Sequence, residues 1–155
     1  MAFLSTMDVV GSGLTAQQLR LDIVAENITN SQTTRTEKGG AYRRKMVVFR
    51  AQDDRNDFRA AMARAAAAGE VTHPVAHTAT GGVKVTQIAE DPTPLKLVYD
   101  PTHPDANEEG YVEMPNVDTV KEITDAMAAT QAFSANVTLM NTIKTVANKG
   151  LEIGR

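Results

Sequence analysis

Cysteine is absent from the 155 residues, and so is tryptophan. Without thiols the chain has no disulfide, no thiolate metal ligand and no cysteine nucleophile. Aromatic residues make up only 5% of it, so a core drawn from the 42% apolar content is thin and aliphatic. No apolar run approaches the roughly 20 residues that a membrane-spanning helix needs. There is no basic excess either. A formal net charge of −3 argues against a general nucleic-acid binder, which requires a basic surface. The N-terminal stretch lacks the pattern of a signal peptide. No positive charge precedes its apolar patch, and Ser5, Thr6, Asp8 and Gly11-Ser12-Gly13 interrupt it. The expectation is that any location outside the cytoplasm is reached without a cleaved signal.

Catalytic patterns are equally scarce. His73 and His77 have the spacing of two ligands on one helix face, but Pro74 and the surrounding threonines oppose a helix there, and no third ligand lies nearby. His103 sits in a proline-rich turn and reads as structural or exposed. Gly11-Ser12-Gly13 and Thr80-Gly81-Gly82 lack the Gly-Lys-Ser/Thr of a phosphate loop. The acids near Glu108 and Glu109 have no spacing that designates a general acid and base. The reading is of a non-enzyme with no cofactor and no metal.

What the chain has is two long, striped ends. Phe3, Met7, Val10, Leu14, Gln17, Leu21, Val24 and Ile28 keep alternating steps of four and three near the start, as do Ile123, Ala126, Thr130, Phe133, Val137, Met140, Lys144, Ala147 and Leu151 near the end. Helices with that spacing want a partner along their length. A second apolar row, Ala129, Ala132, Leu139, Ile143, Val146 and Ile153, widens the arc of the last helix beyond what one partner covers. Gly11 and Gly13 each cost the first helix about 1 kcal/mol relative to alanine, so it is marginal alone. Ser5 or Thr6 can cap it, and Asp8 suits its first turn. Asn116, Asp118 or Thr119 can cap the second, where Thr119 and Glu122 have capping-box spacing.

Between the ends, Tyr42–Phe49, Val83–Ile88, Leu95–Tyr99 and Gly110–Met114 read as short strands. The predicted class is α+β: long N- and C-terminal helices pair as an α-helical coiled coil around a small, irregular, β-rich centre. The expected divisions are residues 1–31, residues 32–115 with a mobile or weakly helical loop at about 53–82, and residues 116–155. Such a chain points to assembly. The expected seam is Met7, Val10, Leu14, Leu21, Val24 and Ile28 facing Ile123, Phe133, Val137, Met140 and Leu151.

Charge is unevenly spread. Arg35, Lys38, Arg43, Arg44, Lys45 and Arg50 are opposed locally by Glu37 alone, whereas Glu90, Asp91, Asp100, Asp105, Glu108, Glu109 and Glu113 are opposed by Lys96 alone. Two readings fit: solvated loops, or a basic strip with Arg43, Arg44 and Lys45 meeting acids such as Glu108 and Glu109 of an adjacent subunit, setting register more than affinity. Asparagine recurs beside the helical stripes, at Asn27, Asn30, Asn136, Asn141 and Asn148. Polar residues near an apolar seam can fix register at some cost in stability.

The segment from Leu21 to Ser31 (LDIVAENITNS) resembles the N-terminal signature of bacterial flagellar axial proteins, the rod, hook and hook-associated proteins, with Leu21, Ala25, Asn27, Ile28, Asn30 and Ser31 at the motif positions. Tyr42–Phe49 is similar to the segment just after that signature in proximal rod subunits. The stretches 90–96, 99–106 and 109–112 resemble the small centre of one short rod member, and Met114–Asp118 with Ala135–Thr138 resemble its C-terminal helix. The resemblance implies a structural subunit of the proximal rod of the flagellar basal body. It implies terminal helices paired into a coiled coil, export by the flagellar type III apparatus without a cleaved signal, and partners among other rod proteins and copies of the same chain. Nucleic acid and direct membrane insertion are not expected. The rival reading is a secreted effector or adaptor using a type III export route.

Overall fold

The computed structural model describes residues 2–37, 39–52 and 81–153. The loop expected at about 53–82 therefore falls outside the described residues except at its last two positions, and His73 and His77 fall outside them entirely.

The two terminal helices dominate. Helix α1 spans Ala2–Thr29 and helix α2 spans Thr119–Ile153, roughly 40 and 50 Å at 1.5 Å per residue. Helix α1 starts ahead of Ser5, so the caps expected at Ser5 or Thr6 are corrected: both residues lie inside the helix, and Asp8 sits beyond the first turn. Helix α2 begins as its sequence suggests. Asp118 Oδ1 accepts from the N–H groups of Val120 (3.1 Å) and Lys121 (3.4 Å), the bonding of an N-cap. The Thr119–Glu122 capping box does not form, because the Glu122 carboxylate turns inward to other partners.

The helices pack antiparallel. Asn27 meets Glu122, Arg20 meets Asp125, and Gly13 meets Asn136. Val10, Ala16, Ile23, Val24 and Asn27 are buried on α1, against Glu122 and Ala129 on α2. The contact row on α2 thus uses small and polar residues. A Cβ built on Gly13 would stand 3.1 Å from Asn136 Nδ2, so the missing side chain lets the axes approach.

Two antiparallel ribbons fill the centre. Strand β1 (Lys45–Ala51) pairs with β2 (Val83–Glu90), from Lys45↔Glu90 to Ala51↔Val83, with a bulge between Val48 and Phe49. This ribbon lies along α1. At one end Lys45 bonds Asn27; at the other the Val83 N–H donates to Ser12 Oγ at 3.0 Å. Gly82, at φ +85°, permits that approach, since a Cβ there would fall 2.2 Å from Ser12 Oγ. Strand β3 (Lys96–Tyr99) pairs with β4 (Tyr111–Met114), and the Tyr99 and Tyr111 rings meet edge-on at 5.3 Å. The four strands fall where β-branched and aromatic residues predict them, except that β1 begins at Lys45. Tyr42 is instead buried ahead of the strand at the base of the helical pair, where its hydroxyl meets Asn27, and Ala41, Val112, Pro115 and Val117 are buried as well.

Candidate functional site

At that base, side chains from the last turn of α1, the first turns of α2 and the start of β1 converge in a polar knot. Asn27 is its centre and is 1% exposed. Its Nδ2 donates to the Lys45 carbonyl and to Glu122 Oε2, both at 2.9 Å. Its Oδ1 accepts from the Tyr42 hydroxyl at 3.0 Å and the Lys45 N–H at 2.9 Å. An asparagine amide has two donors and two acceptor sites, and all are used. Glu122, fully buried, accepts from Arg44 Nε at 2.6 Å on its other oxygen. The Arg44 guanidinium also lies 3.5 Å from Asp125 and 3.7 Å from Asp91.

The backbone of Arg44 is held too. Its N–H donates to Asn116 Oδ1 and its carbonyl accepts from the Asp91 N–H, both at 2.8 Å. Hydrogen bonds from the Thr93 N–H and hydroxyl hold the Asp91 carboxyl below its ordinary range, and the Arg44 charge adds to this. Burial, followed by the carboxylates of Glu26, Glu122 and Glu90, pushes the Tyr42 hydroxyl up to about 12. Lys45 pairs with Glu26 and stands 5.7 Å from the centre of the Tyr42 ring.

Away from the base, α2 presents an open flank. Leu139 and Val146 (64% exposed) share one outer row of the helix, Val120 and Met127 are exposed on a neighbouring row nearer its start, and Leu151, 75% exposed, continues the row of Phe133 near its end. The threonines of this helix are turned in on themselves. Thr124, Thr130, Thr138, Thr142 and Thr145 each donate to the carbonyl four residues earlier, at 2.8–3.0 Å. Helix α1 differs, because α2 and the β1–β2 ribbon cover it on two sides.

The expected seam residues separate accordingly. Val10 and Val24 are buried; Met7, Leu14, Leu21, Ile28, Phe133 and Met140 are half-buried. Val137 lies at the margin, whereas Ile123 (52% exposed) and Leu151 lie outside the contact within one chain. Of the motif residues, Asn27 forms the knot and Asn30 closes the helix end, its Nδ2 donating to the Glu26 carbonyl at 3.0 Å. Leu21, Ile28 and Ser31 are half-buried and Ala25 is exposed.

Of the expected charge contacts, Arg44 and Lys45 turn to acids of their own chain. Arg43, Glu108 and Glu109 are exposed and make no ion pair with a described residue. His103 is structural: its Nδ1 accepts from the Asp105 N–H at 3.1 Å. Glu122 was missed as a site residue. One signal was present: it stands seven residues before Ala129, on the inner row of α2.

Two long terminal helices, paired on one flank and bare on another, define an assembly protein built on its ends. Two family signatures match them, "Flagella basal body rod protein" over residues 7–35 and "Flagellar basal body rod FlgEFG protein C-terminal" over residues 108–153. The flagellar basal-body rod protein FlgC of Bacillus subtilis (strain 168) is 41% identical over 156 residues, covering 97% of both chains. Those of Escherichia coli O6:H1 and Salmonella typhimurium are 40% and 39% identical over the whole of both chains. The chain belongs to the FlgC family of flagellar basal-body rod proteins, a structural and non-catalytic family. Membership implies assembly with rod proteins. Among the described residues, no helix is long and apolar enough to cross a membrane.

Proposed function

We propose that this chain is a subunit of the proximal rod that polymerises through its terminal helices into a drive shaft, transmitting torque from the motor to the hook and filament. Its partners are copies of itself and other rod proteins. It reaches the rod through the flagellar type III apparatus, without a cleaved signal peptide. Residues 1–31 and 116–155 are the coiled-coil helices and residues 32–115 the central region.

The observation that carries this reading is the open apolar flank of α2. A stack of identical steps uses head-to-tail contacts, in which one patch meets a different patch on the next subunit. Ile123 and Leu151, bare within the chain, are then seam positions between subunits, while Val10, Val24 and Phe133 hold the pair together. Arg43, Glu108 and Glu109 are the charges left for neighbours.

Leu139→Asp tests the reading. About half of the side chain is exposed in the single chain, and aspartate costs a helix interior under about 1 kcal/mol relative to leucine, so the monomer still folds, with melting lowered by a few degrees. Loss of its burial between subunits, worth roughly 1.5–3 kcal/mol for a leucine, lowers subunit addition by about one to two powers of ten. Rods counted in detergent-extracted basal bodies, with swimming in soft agar, give the readout. Wild-type rods and motility with Leu139→Asp, Val146→Asp and Leu151→Asp together would remove α2 from the seam.

A further inference from the structure

The β1–β2 ribbon is attached to the helical pair by polar contacts at both ends and is loosely filled between them. Neither strand contributes a residue to the buried apolar core. A cleft of about 340 Å³ opens between β1 and the two helices, lined by Met46 and Phe49 of β1, Ile23 and Val24 of α1, and Glu122 and Asp125 of α2. Apolar attraction is non-directional, so contact across such a gap does little to fix where the ribbon lies. Hydrogen bonds weaken steeply away from linearity, and here they converge. Asn27 holds both the N–H and the C=O of Lys45, at 2.9 Å each. Arg44, the preceding residue, is held by Glu122 and Asp125 of α2, by Asp91 beyond β2, and through its backbone by Asn116. Four parts of the chain are thereby tied to two neighbouring residues at the start of β1.

We infer that the Asn27–Arg44–Glu122 knot is a register device. It sets the position and angle of the β1–β2 ribbon on the helical pair, and it contributes direction rather than net stability. A buried ion pair loses in desolvation about what it gains in attraction, and apolar residues of similar volume can replace it without loss of stability. Breaking only one side leaves a buried charge alone and confuses the two roles. The double variant Arg44→Met/Glu122→Leu separates them. In it Asn27 keeps both bonds to Lys45, and Asp125 keeps Arg20 at 3.2 Å.

The experiment uses the full chain. Because the sequence contains no cysteine, spin labels on Gln87→Cys in β2 and Thr130→Cys in α2, both exposed, are the only ones attached. Pulsed electron–electron resonance then reads the ribbon-to-helix distance. The wild-type background is expected to give one sharp distance. The double variant is expected to melt cooperatively a few degrees below the wild type, because one buried Asn27 N–H loses its acceptor, and to lose that distance to a broad distribution. A sharp distance at the wild-type value in the double variant overturns the inference, as does a broad one in the wild type.

Should the double variant fail to fold, Arg44→Lys decides. It keeps the charge and loses the fork that reaches three carboxylates. A broadened distance in the folded Arg44→Lys chain supports the register role, and an unchanged sharp one refutes it. A second readout, incorporation into rods, rests on the rod reading. Loss of rods from a chain that still melts cooperatively is expected. A widened distance with wild-type rods leaves the register role in the chain standing and removes the ribbon's angle from what rod assembly requires.

Discussion

Two glycines two positions apart in α1 give a sharp test of how the terminal helices pack. Gly11 and Gly13 share a helix interior, so each replacement by alanine gains the same intrinsic propensity, about 0.8–1 kcal/mol. Each also removes the same excess freedom from the unfolded chain. Their surroundings differ. A Cβ on Gly11 meets nothing within 4 Å, whereas one on Gly13 stands 3.1 Å from Asn136 Nδ2 and 3.6 Å from its Cγ. Gly11→Ala therefore keeps its whole gain. Gly13→Ala gives most of it back by forcing Asn136 away, and ends near zero. For a chain of this length, 1 kcal/mol moves the melting temperature by roughly 2–4 °C. The assay is thermal unfolding of the purified full chain measured by far-ultraviolet circular dichroism. The expected result is a rise of that size for Gly11→Ala and little change for Gly13→Ala. Equal rises would refute the close approach of α1 to α2 at Asn136. No rise in either would mean that α1 is not helical in the free chain.

Other expectations concern the base of the pair and the ribbon it anchors. Glu122→Ala takes the fully buried carboxylate from Arg44, which keeps Asp125 and Asp91, and from the Asn27 amide, and should cost about 1.5–3 kcal/mol in urea unfolding; a loss under about 1 kcal/mol would mean that Glu122 is hydrated in solution. Gly82→Ala places a Cβ at φ +85° and 2.2 Å from Ser12 Oγ. It should cost about 1–2 kcal/mol in backbone strain and free the Val83 amide to exchange, which hydrogen exchange by NMR reads directly. Tyr42 supplies a pH signature. Its hydroxyl is pushed up to about 12 in the folded chain, so folding favours the protonated form. That contribution is complete below the ordinary tyrosine pKa near 10 and is lost as pH rises from there toward about 12. Denaturation midpoints should fall across this window in the wild type, and less so in Tyr42→Phe. Identical slopes would place Tyr42 in solvent.

How far the sequence reveals this arrangement depends on which physical signal each part leaves. The helices are legible because a step of four and three survives along their length, and the strands because Val47, Val48, Phe49, Val83 and Val85 cluster between turn residues. Periodicity identifies faces, however, and not which face is covered inside one chain. Ile123 and Phe133 sit on the same stripe, yet one is exposed and the other half-buried. The knot is less legible still. Arg44 and Glu122 are 78 positions apart, and each, read alone, belongs to a familiar local pattern: a basic run, and the third helical position of a capping box. Burial of a charge depends on finding its partner, and a single sequence carries no record of a pairing so distant. Lys45 repeats the lesson, since a surface base by composition is consumed locally by Glu26.

The inward-turned threonines of α2 have a consequence for chemistry at its flank. A hydroxyl already bound to its own helix asks nothing of whatever settles beside it, and what remains on the outside is a methyl group. Counted by residue type, this flank looks half polar; counted by unmet hydrogen-bonding demand, it behaves nearly as valine would. A visiting surface can therefore be plain aliphatic between Gln131 and Lys149, and Thr138→Val or Thr142→Val should pass almost unnoticed where Thr→Asp would not.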